Sequence, residues 1–551
     1  MTIFFNLLLH FGLILIIFFS ICGLGKLVAT KMLDKLNNNN LFLVFFLGII
    51  VLYVLQFFLY FFLSINYTSN IIILILGLFL FFRKNYFQNR DIKLFIFLVI
   101  SLFLIFIISK THEDFKHHHL QSVLDLFDNN LTLGKANINP AFIYVSSLSY
   151  VIAFTKYPFF ENQFFHIIPY LIYICFLGYI ISPIINNFYN KREKYNFILP
   201  ILIFFFLLQF KYLKKFGFDV PALIFSLIFF LESIKNNNFF KNIIYFIYAF
   251  SIKITSIFII PIVLFYLTKF IILKKQFDRY ALIFSTFLIL IISISNFINN
   301  GCLLYIIKET CFNKENISWV INKEKISQIS NQTELDTKAY FQQDEFDQIE
   351  YLKKFNWFKN WFNNGFIYKI LNFILLFIIS YLITLFFLKI KFSINKKNIY
   401  LWLCSLICVG MWFLKIPTLR YGITPLLIFF ITTLLLFHDS KINFFQFNKN
   451  IVIIIFSIII INNSFNLKRI ISEFDRTDSN YYKDFPFYYL PQRKFKTIII
   501  DKLTINIPID NLIYPCWNIP NQCIENEELI IDNNKIYIKS SNFYNTIYTK
   551  N

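Results

Sequence analysis

The densest group of reactive side chains in the sequence runs from Lys110 to Gln121 and includes His112, Glu113, Asp114, Lys116, His117, His118 and His119. Glu113 and Asp114 are adjacent carboxylates just beyond an apolar stretch. A carboxylate at a desolvated boundary can have its pKa raised far enough to act as a general base. The His117-His118-His119 run does not make a metal site on a helix, because consecutive residues point about 100° apart. No metal ligand set is expected, although His119 can lend a hydrogen bond. Further along stand Lys211, Lys214 and Lys215, Asp219 in Gly-Phe-Asp-Val-Pro-Ala, Lys253, Lys415 and Arg420. Arg offers a two-pronged fork for phosphate and Lys a point charge, so Lys253, Lys415 and Arg420 suit an anionic headgroup.

Lipid is the solvent for the elements that must position these groups. Of 551 residues, 57% are apolar and 15% charged, well below the charged share of a soluble domain. Long apolar runs recur, as from Phe42 to Leu63 and Ile367 to Ile390, and each is long enough to cross a bilayer. The expected fold is an all-α polytopic membrane bundle of about 14 spans, at 3–22, 41–63, 70–83, 92–109, 163–184, 196–213, 218–234, 239–252, 254–272, 280–298, 366–390, 398–414, 421–437 and 451–464. The first run lacks a basic leader and a small-x-small cleavage site, so it reads as the first span.

The formal charge of +21 does not indicate nucleic-acid binding, because the basic residues sit in short clusters between apolar runs. Clusters follow every second span, at Lys26–Lys35, Arg83–Lys93, Lys191–Lys194, Lys235–Lys241, Lys274–Arg279, Lys391–Lys397 and Lys441–Lys449. The positive-inside rule then places these loops in the cytoplasm and both termini outside. The reactive residues fall at the opposite, outward ends, although the spans were assigned without them. Ionisable groups at membrane depth mark functional sites by default.

Residues 141–154 are apolar but short. Counting them as a span would break the alternation, so an interfacial or re-entrant helix against the outer leaflet is expected. Segment 116–128 reads as an amphipathic juxtamembrane helix with Leu120, Val123, Leu124 and Phe127 on one face. Trp357 and Trp361 read as an interfacial aromatic belt. The chain divides into a transmembrane domain, 1–464, with large outer loops 110–162 and 299–365, and a C-terminal domain, 465–551. Alternation at 497–500 and 535–539 predicts strands there, in a small periplasmic α/β or β-rich unit.

Of eight cysteines, Cys22, Cys175, Cys404 and Cys408 lie in apolar spans and behave as small hydrophobes. Cys302 with Cys311, and Cys516 with Cys523, form two close pairs in loops assigned outside. Their gaps are wider than the two to four residues usual in a four-thiolate zinc site. Two local disulfides in an oxidising compartment are expected, which points to the periplasmic side of a bacterial inner membrane.

The acidic pair in the first large outer loop, the juxtamembrane helix after it and the basic residues at later span ends resemble membrane glycosyltransferases of the GT-C fold. A closer resemblance is to a family of uncharacterised bacterial multi-pass proteins with GT-C-like organisation, carried by His112–Gln121, Gly301–Phe312, Trp412–Gly422 and Pro515–Cys523. The resemblance covers most of the chain after residue 100. It implies transfer of a sugar from a polyprenyl-phosphate-linked donor to a glycan or lipid acceptor at the periplasmic face. Asp114 would deprotonate the acceptor, Glu113 would assist or bind a divalent cation, and Lys253, Lys415 and Arg420 would hold the lipid phosphate. His119, Gln121 and Asp219 would support the site. The order Glu113-Asp114 departs from the Asp-x-Asp or Asp-Glu of many such enzymes. Other readings are a polymerase or ligase of lipid-linked glycans, or a transporter or flippase. The last is disfavoured by the absence of paired halves and of charges deep in the spans.

Overall fold

The computed structural model describes residues 2–33, 40–83, 89–107, 115, 119–137, 140–158, 162–186, 197–211, 213, 217–235, 238–274, 277–305, 307–340, 347–353, 355–387, 393–437, 449–474, 494–500, 503–509, 519, 523, 536–540 and 545–549. The apolar segments form helices that satisfy their backbone groups internally, as a lipid environment demands. The first five are α1 (Thr2–Met32), α2 (Leu41–Phe62), α3 (Tyr67–Phe82), α4 (Asn89–Ser101) and α5 (Phe103–Ile107). Asn40 caps α2 by accepting from the amides of Phe42 and Leu43, both at 3.1 Å. Asn66 and Ser69 form a reciprocal capping box on α3.

After α6 (Leu120–Asp128) and α7 (Ser147–Ala153) come α8 (Ile167–Asn186), α9 (Ile198–Gln209), α10 (Asp219–Lys235), α11 (Phe239–Ile252), α12 (Ile260–Ile272) and α13 (Arg279–Asn300). The loop after α13 carries α14 (Lys323–Thr337), α15 (Gln348–Leu352) and α16 (Phe358–Asn363). The chain then continues through α17 (Phe366–Phe387), α18 (Ile399–Lys415), α19 (Leu419–Phe437) and α20 (Lys449–Phe474). Thirteen of the fourteen apolar segments expected from the sequence each coincide in their body with one of these helices, and the segment expected at 92–109 is divided between α4 and α5. Among the described residues, nine helices are long and apolar enough to cross a membrane, and three shorter ones are apolar. The span from 164 to 185 is almost wholly buried in the bundle, whereas α17 and α18 present most of their apolar surface outward. Phe82, Ile272 and Phe386 are among many large apolar side chains exposed around the perimeter. So broad an exposed apolar surface fits a lipid-embedded, multi-pass bundle rather than a water-soluble one.

Contacts sort the helix ends as the charge pattern requires. Lys31 Nζ lies 4.6 Å from the Tyr280 ring centroid, Lys241 pairs with Asp278 at 3.5 Å, and the Asn395 amide donates to Leu436 O at 2.8 Å. Each joins the surroundings of one basic loop to those of another. The opposite ends are tied likewise: Asn463 Nδ2 donates to Ser101 O and Asn300 Nδ2 to Ile143 O, both at 2.7 Å.

Residues 141–154 do not lie against a leaflet. A short turn over Pro140–Ile143 leads into α7, all seven of whose residues are buried in protein. Polar contacts tie it to α3 and α11: Asn70 Nδ2 donates to Ala153 O at 2.9 Å and Ser251 Oγ to Ser147 Oγ at 2.7 Å. Nor do Trp357 and Trp361 form an exposed belt, because both rings are buried.

In the C-terminal segment, helix α20 runs to Phe474, past the boundary expected near 464. The hairpin β2 (Phe495–Ile500) and β3 (Leu503–Pro508) is antiparallel, as is that of β4 (Ile536–Ser540) and β5 (Asn545–Thr549). Two residues of the loop between α6 and α7, β1 (Thr132–Leu133), pair in parallel with Asn545 and Thr546, so the order is β1, β5, β4. The tail therefore shares a sheet with that loop. Gly134, next in that loop, has φ +76°, and a Cβ there would stand 2.3 Å from Ile547 O, so only glycine permits the close approach.

Candidate functional site

Three of the sequence-selected residues meet. Asp219 opens α10 immediately after Gly217 and Phe218, with Pro221 in the same first turn. Carboxylates are favoured at that position by the helix dipole. Lys253 caps the C-terminus of α11 in an extended conformation, its amide bonded to Ala249 O at 3.0 Å, and a 3-10 helix over Ile254–Ile259 then leads into α12. Arg420 stands in the first turn of α19. Lys253 Nζ pairs with Asp219 Oδ1, and Arg420 Nε donates to Asp219 Oδ2 at 2.7 Å. The Asp219 side chain is 4% exposed, those of Lys253 and Arg420 17% and 28%. The Tyr421 ring faces both cations, with its centroid 4.7 Å from Lys253 Nζ and 5.5 Å from Arg420 Cζ. Two cations thus meet one carboxylate, and partial burial strengthens the field between them.

His119 adjoins the cluster through Phe218, on whose ring it stacks at 3.9 Å. Both sit beside an aromatic cleft lined by Phe106, Phe115, His119, Phe165, His166 and Gly217. Gln121 plays a different part, since its Nε2 donates to Ile519 O at 3.0 Å and ties the C-terminal segment to α6. Glu113, Asp114, His117, His118, Lys214 and Lys215 lie outside the described residues. So does the divalent-cation position expected beside the acidic pair. Among the described residues, no group of three or more His, Cys, Asp or Glu is arranged to hold a metal ion.

Lys415 is held elsewhere. It pairs with Glu334 of α14, which also accepts from Lys338 Nζ at 2.7 Å, and Lys338 lies over the Trp357 ring at 5.0 Å. Burial pushes the Glu334 carboxyl up, but the hydrogen bonds and charges of Lys338 and Lys415 together outweigh it, and the pKa is lowered from the usual 4.5. A carboxyl with a lowered folded-state pKa adds stability above its unfolded value, and that stability is lost as pH falls through the folded one. Acidification from pH 6 to below 4 should therefore loosen α14 from the end of α18. Tryptophan emission from Trp357 and Trp361 should report the change. Glu334→Gln should lose ~1–2 kcal/mol at neutral pH and remove this acid transition.

Cys302 and Cys311 form a disulfide, and Cys523 is disulfide-bonded, while Cys516 lies outside the described residues. Cys22, Cys175, Cys404 and Cys408 are free thiols. The sequence reading did not single out the Lys135–Asp125 ion pair, whose side chains are each 3% exposed. Lys135 Nζ also donates to Tyr60 Oη at 2.6 Å, and Asn129 Nδ2 to Asp125 Oδ1 at 3.2 Å. Charges at Asp125 and Lys135, on and just beyond the segment 116–128 that reads as amphipathic, were the available signal. His166 and Glu334 carry no local signature that would have marked them.

Residues 7–427 match the model of one protein family, described as Domain of unknown function (DUF8201). The chain belongs to that family. The matched stretch contains Asp219, Lys253 and Arg420, and β2 through β5 fall beyond it. No curated protein and no solved structure gives a match.

Proposed function

We propose that this member of the family is a membrane glycosyltransferase that takes a sugar from a polyprenyl-phosphate-linked donor, for cell-envelope glycan or glycolipid synthesis. The observation that carries this reading is the convergence on Asp219, at the start of α10, of Lys253 from the end of α11 and Arg420 from the start of α19. Such a cation pair in a partly buried setting suits the phosphate of a lipid carrier, which becomes the leaving group. Charge that develops there during transfer is stabilised by fixed cations. The chain crosses the inner membrane fourteen times, the site faces the periplasm, and the C-terminal strands lie on that side. Asp114 abstracts the acceptor proton, with Glu113 beside it. Lys415 stands apart as a ligand of Glu334 and is not assigned to the phosphate.

The test is turnover in proteoliposomes of polyprenyl-phospho-hexoses supplied with membrane-extracted acceptors. Release of polyprenyl phosphate should accompany sugar transfer. Asp114→Asn should reduce that release by at least a hundredfold, in the range usual for a lost general base. Unchanged release by this variant would remove Asp114 as the base. If no tested donor turns over, and phosphorylated and unphosphorylated polyprenols bind equally, the transferase reading fails.

A further inference from the structure

The two cations are reached by different external loops, and each loop contacts the backbone beside its cation in the same manner. The last carbonyls of a helix have no partner within it. At the end of α11 they receive side-chain donors from the first outer loop: Tyr144 Oη donates to Phe250 O at 2.6 Å and Ser146 Oγ to Ile252 O at 2.8 Å. Ser251 Oγ bonds Ser147 Oγ between them, and the next residue but one is Lys253. On the other side, the turn Ile416-Pro417-Thr418 precedes Arg420. Trp361 Nε1, from the second outer loop, donates to Pro417 O at 2.7 Å, and Trp412 Nε1 donates to Thr418 O at 3.0 Å. The Trp412 ring also packs on Gly422, where a Cβ would stand 2.1 Å from it. Both rings are buried.

We infer that Tyr144, Ser146, Trp361 and Trp412 are positioning residues that hold Lys253 and Arg420 ready for an anionic ligand by fixing the carbonyls just before them. The inference rests on the anion-binding reading of Asp219, Lys253 and Arg420. Long cationic side chains lose much rotamer freedom when they grip a ligand, and a backbone fixed in advance lowers the part of that cost borne on binding. Supporting residues whose own rotamers are locked by packing keep a site within the narrow tolerance that recognition needs.

The test uses variants that remove one donor and keep an aromatic ring, Trp412→Phe and Tyr144→Phe, with Trp361→Phe as a second indole replacement should Trp412→Phe fold poorly. The probe is farnesyl phosphate, titrated against the full-length protein in nanodiscs, with farnesol as the uncharged control and thermal midpoints recorded in parallel. Each variant should bind farnesyl phosphate five- to tenfold more weakly with farnesol affinity unchanged. The loss should vanish in the background whose cation is already gone, Trp412→Phe in Arg420→Ala and Tyr144→Phe in Lys253→Ala. A double-mutant cycle isolates that dependence from a general loss of stability. Equal losses in both backgrounds would make these residues merely structural and overturn the inference. So would an unchanged affinity in these variants while Arg420→Ala itself binds weakly. If Arg420→Ala binds farnesyl phosphate as tightly as the unaltered protein, the anion-site reading fails first and takes this inference with it.

Discussion

Arg420→Ala should weaken binding of farnesyl phosphate by roughly thirtyfold, as expected for the loss of a charge-assisted contact worth about 2 kcal/mol. Farnesol should bind as before, and the difference between the two ligands, read by calorimetry in nanodiscs, is the quantity that matters. The variant should fold, because Lys253 still neutralises Asp219. Removing both cations is a different experiment. It leaves a carboxylate that is 4% exposed with no positive neighbour from α11 or α19. Stranding a buried charge in this way costs ~3–5 kcal/mol. Lys253→Ala/Arg420→Ala should therefore lower the thermal midpoint sharply, and Asp219→Asn on top of it should restore much of the loss. Arg420→Lys is not a neutral exchange either. It keeps the charge but gives up the planar fork, so an intermediate affinity is expected.

The second large effect lies away from the cations. Lys135→Met should destabilise the protein by about 3–5 kcal/mol, because it leaves Asp125 buried with its charge uncompensated. Asn129 and the backbone near Asp125 do not replace an ammonium group. Lys135 also meets Tyr60, so the pair clamps α6 and the following loop to α2. Asp125→Asn combined with Lys135→Met removes both charges at once and should recover most of the thermal midpoint. A double variant no better than Lys135→Met alone would mean that the ion pair is not what stabilises this region.

The helical framework was legible because lipid makes the sequence rule simple. An apolar run must satisfy its own backbone, so hydropathy alone located the bodies of the helices. Spacing of basic clusters ordered their ends, and the contacts Lys31–Tyr280 and Lys241–Asp278 join clusters the rule had grouped. The meeting of Lys253 with Arg420 could be anticipated only as a shared end of the bundle. That they share Asp219, and that Lys415 turns away to Glu334, depends on side-chain reach and loop packing that no local pattern encodes. Residues 141–154 misled for a related reason: apolar residues buried in protein look the same in sequence as apolar residues facing lipid. Trp361 is similar. An indole near a span start suggests an interfacial belt, but this one points inward because Pro417 O gives its N–H a buried partner. The strands of the tail showed their alternation, whereas the parallel partner of β5, two residues some four hundred positions earlier, left no periodic trace.

A polyprenyl phosphate bearing a photoreactive group next to its phosphate would test most directly where the lipid headgroup is held. After irradiation in nanodiscs and peptide mapping, the label should fall on peptides carrying Gly217–Ala222, Ser251–Ile254 and Thr418–Gly422, and should be lost from all three in Lys253→Ala/Arg420→Ala/Asp219→Asn. Labelling concentrated instead at the opposite helix ends, around Lys26–Lys35 or Lys235–Lys241, would contradict the account.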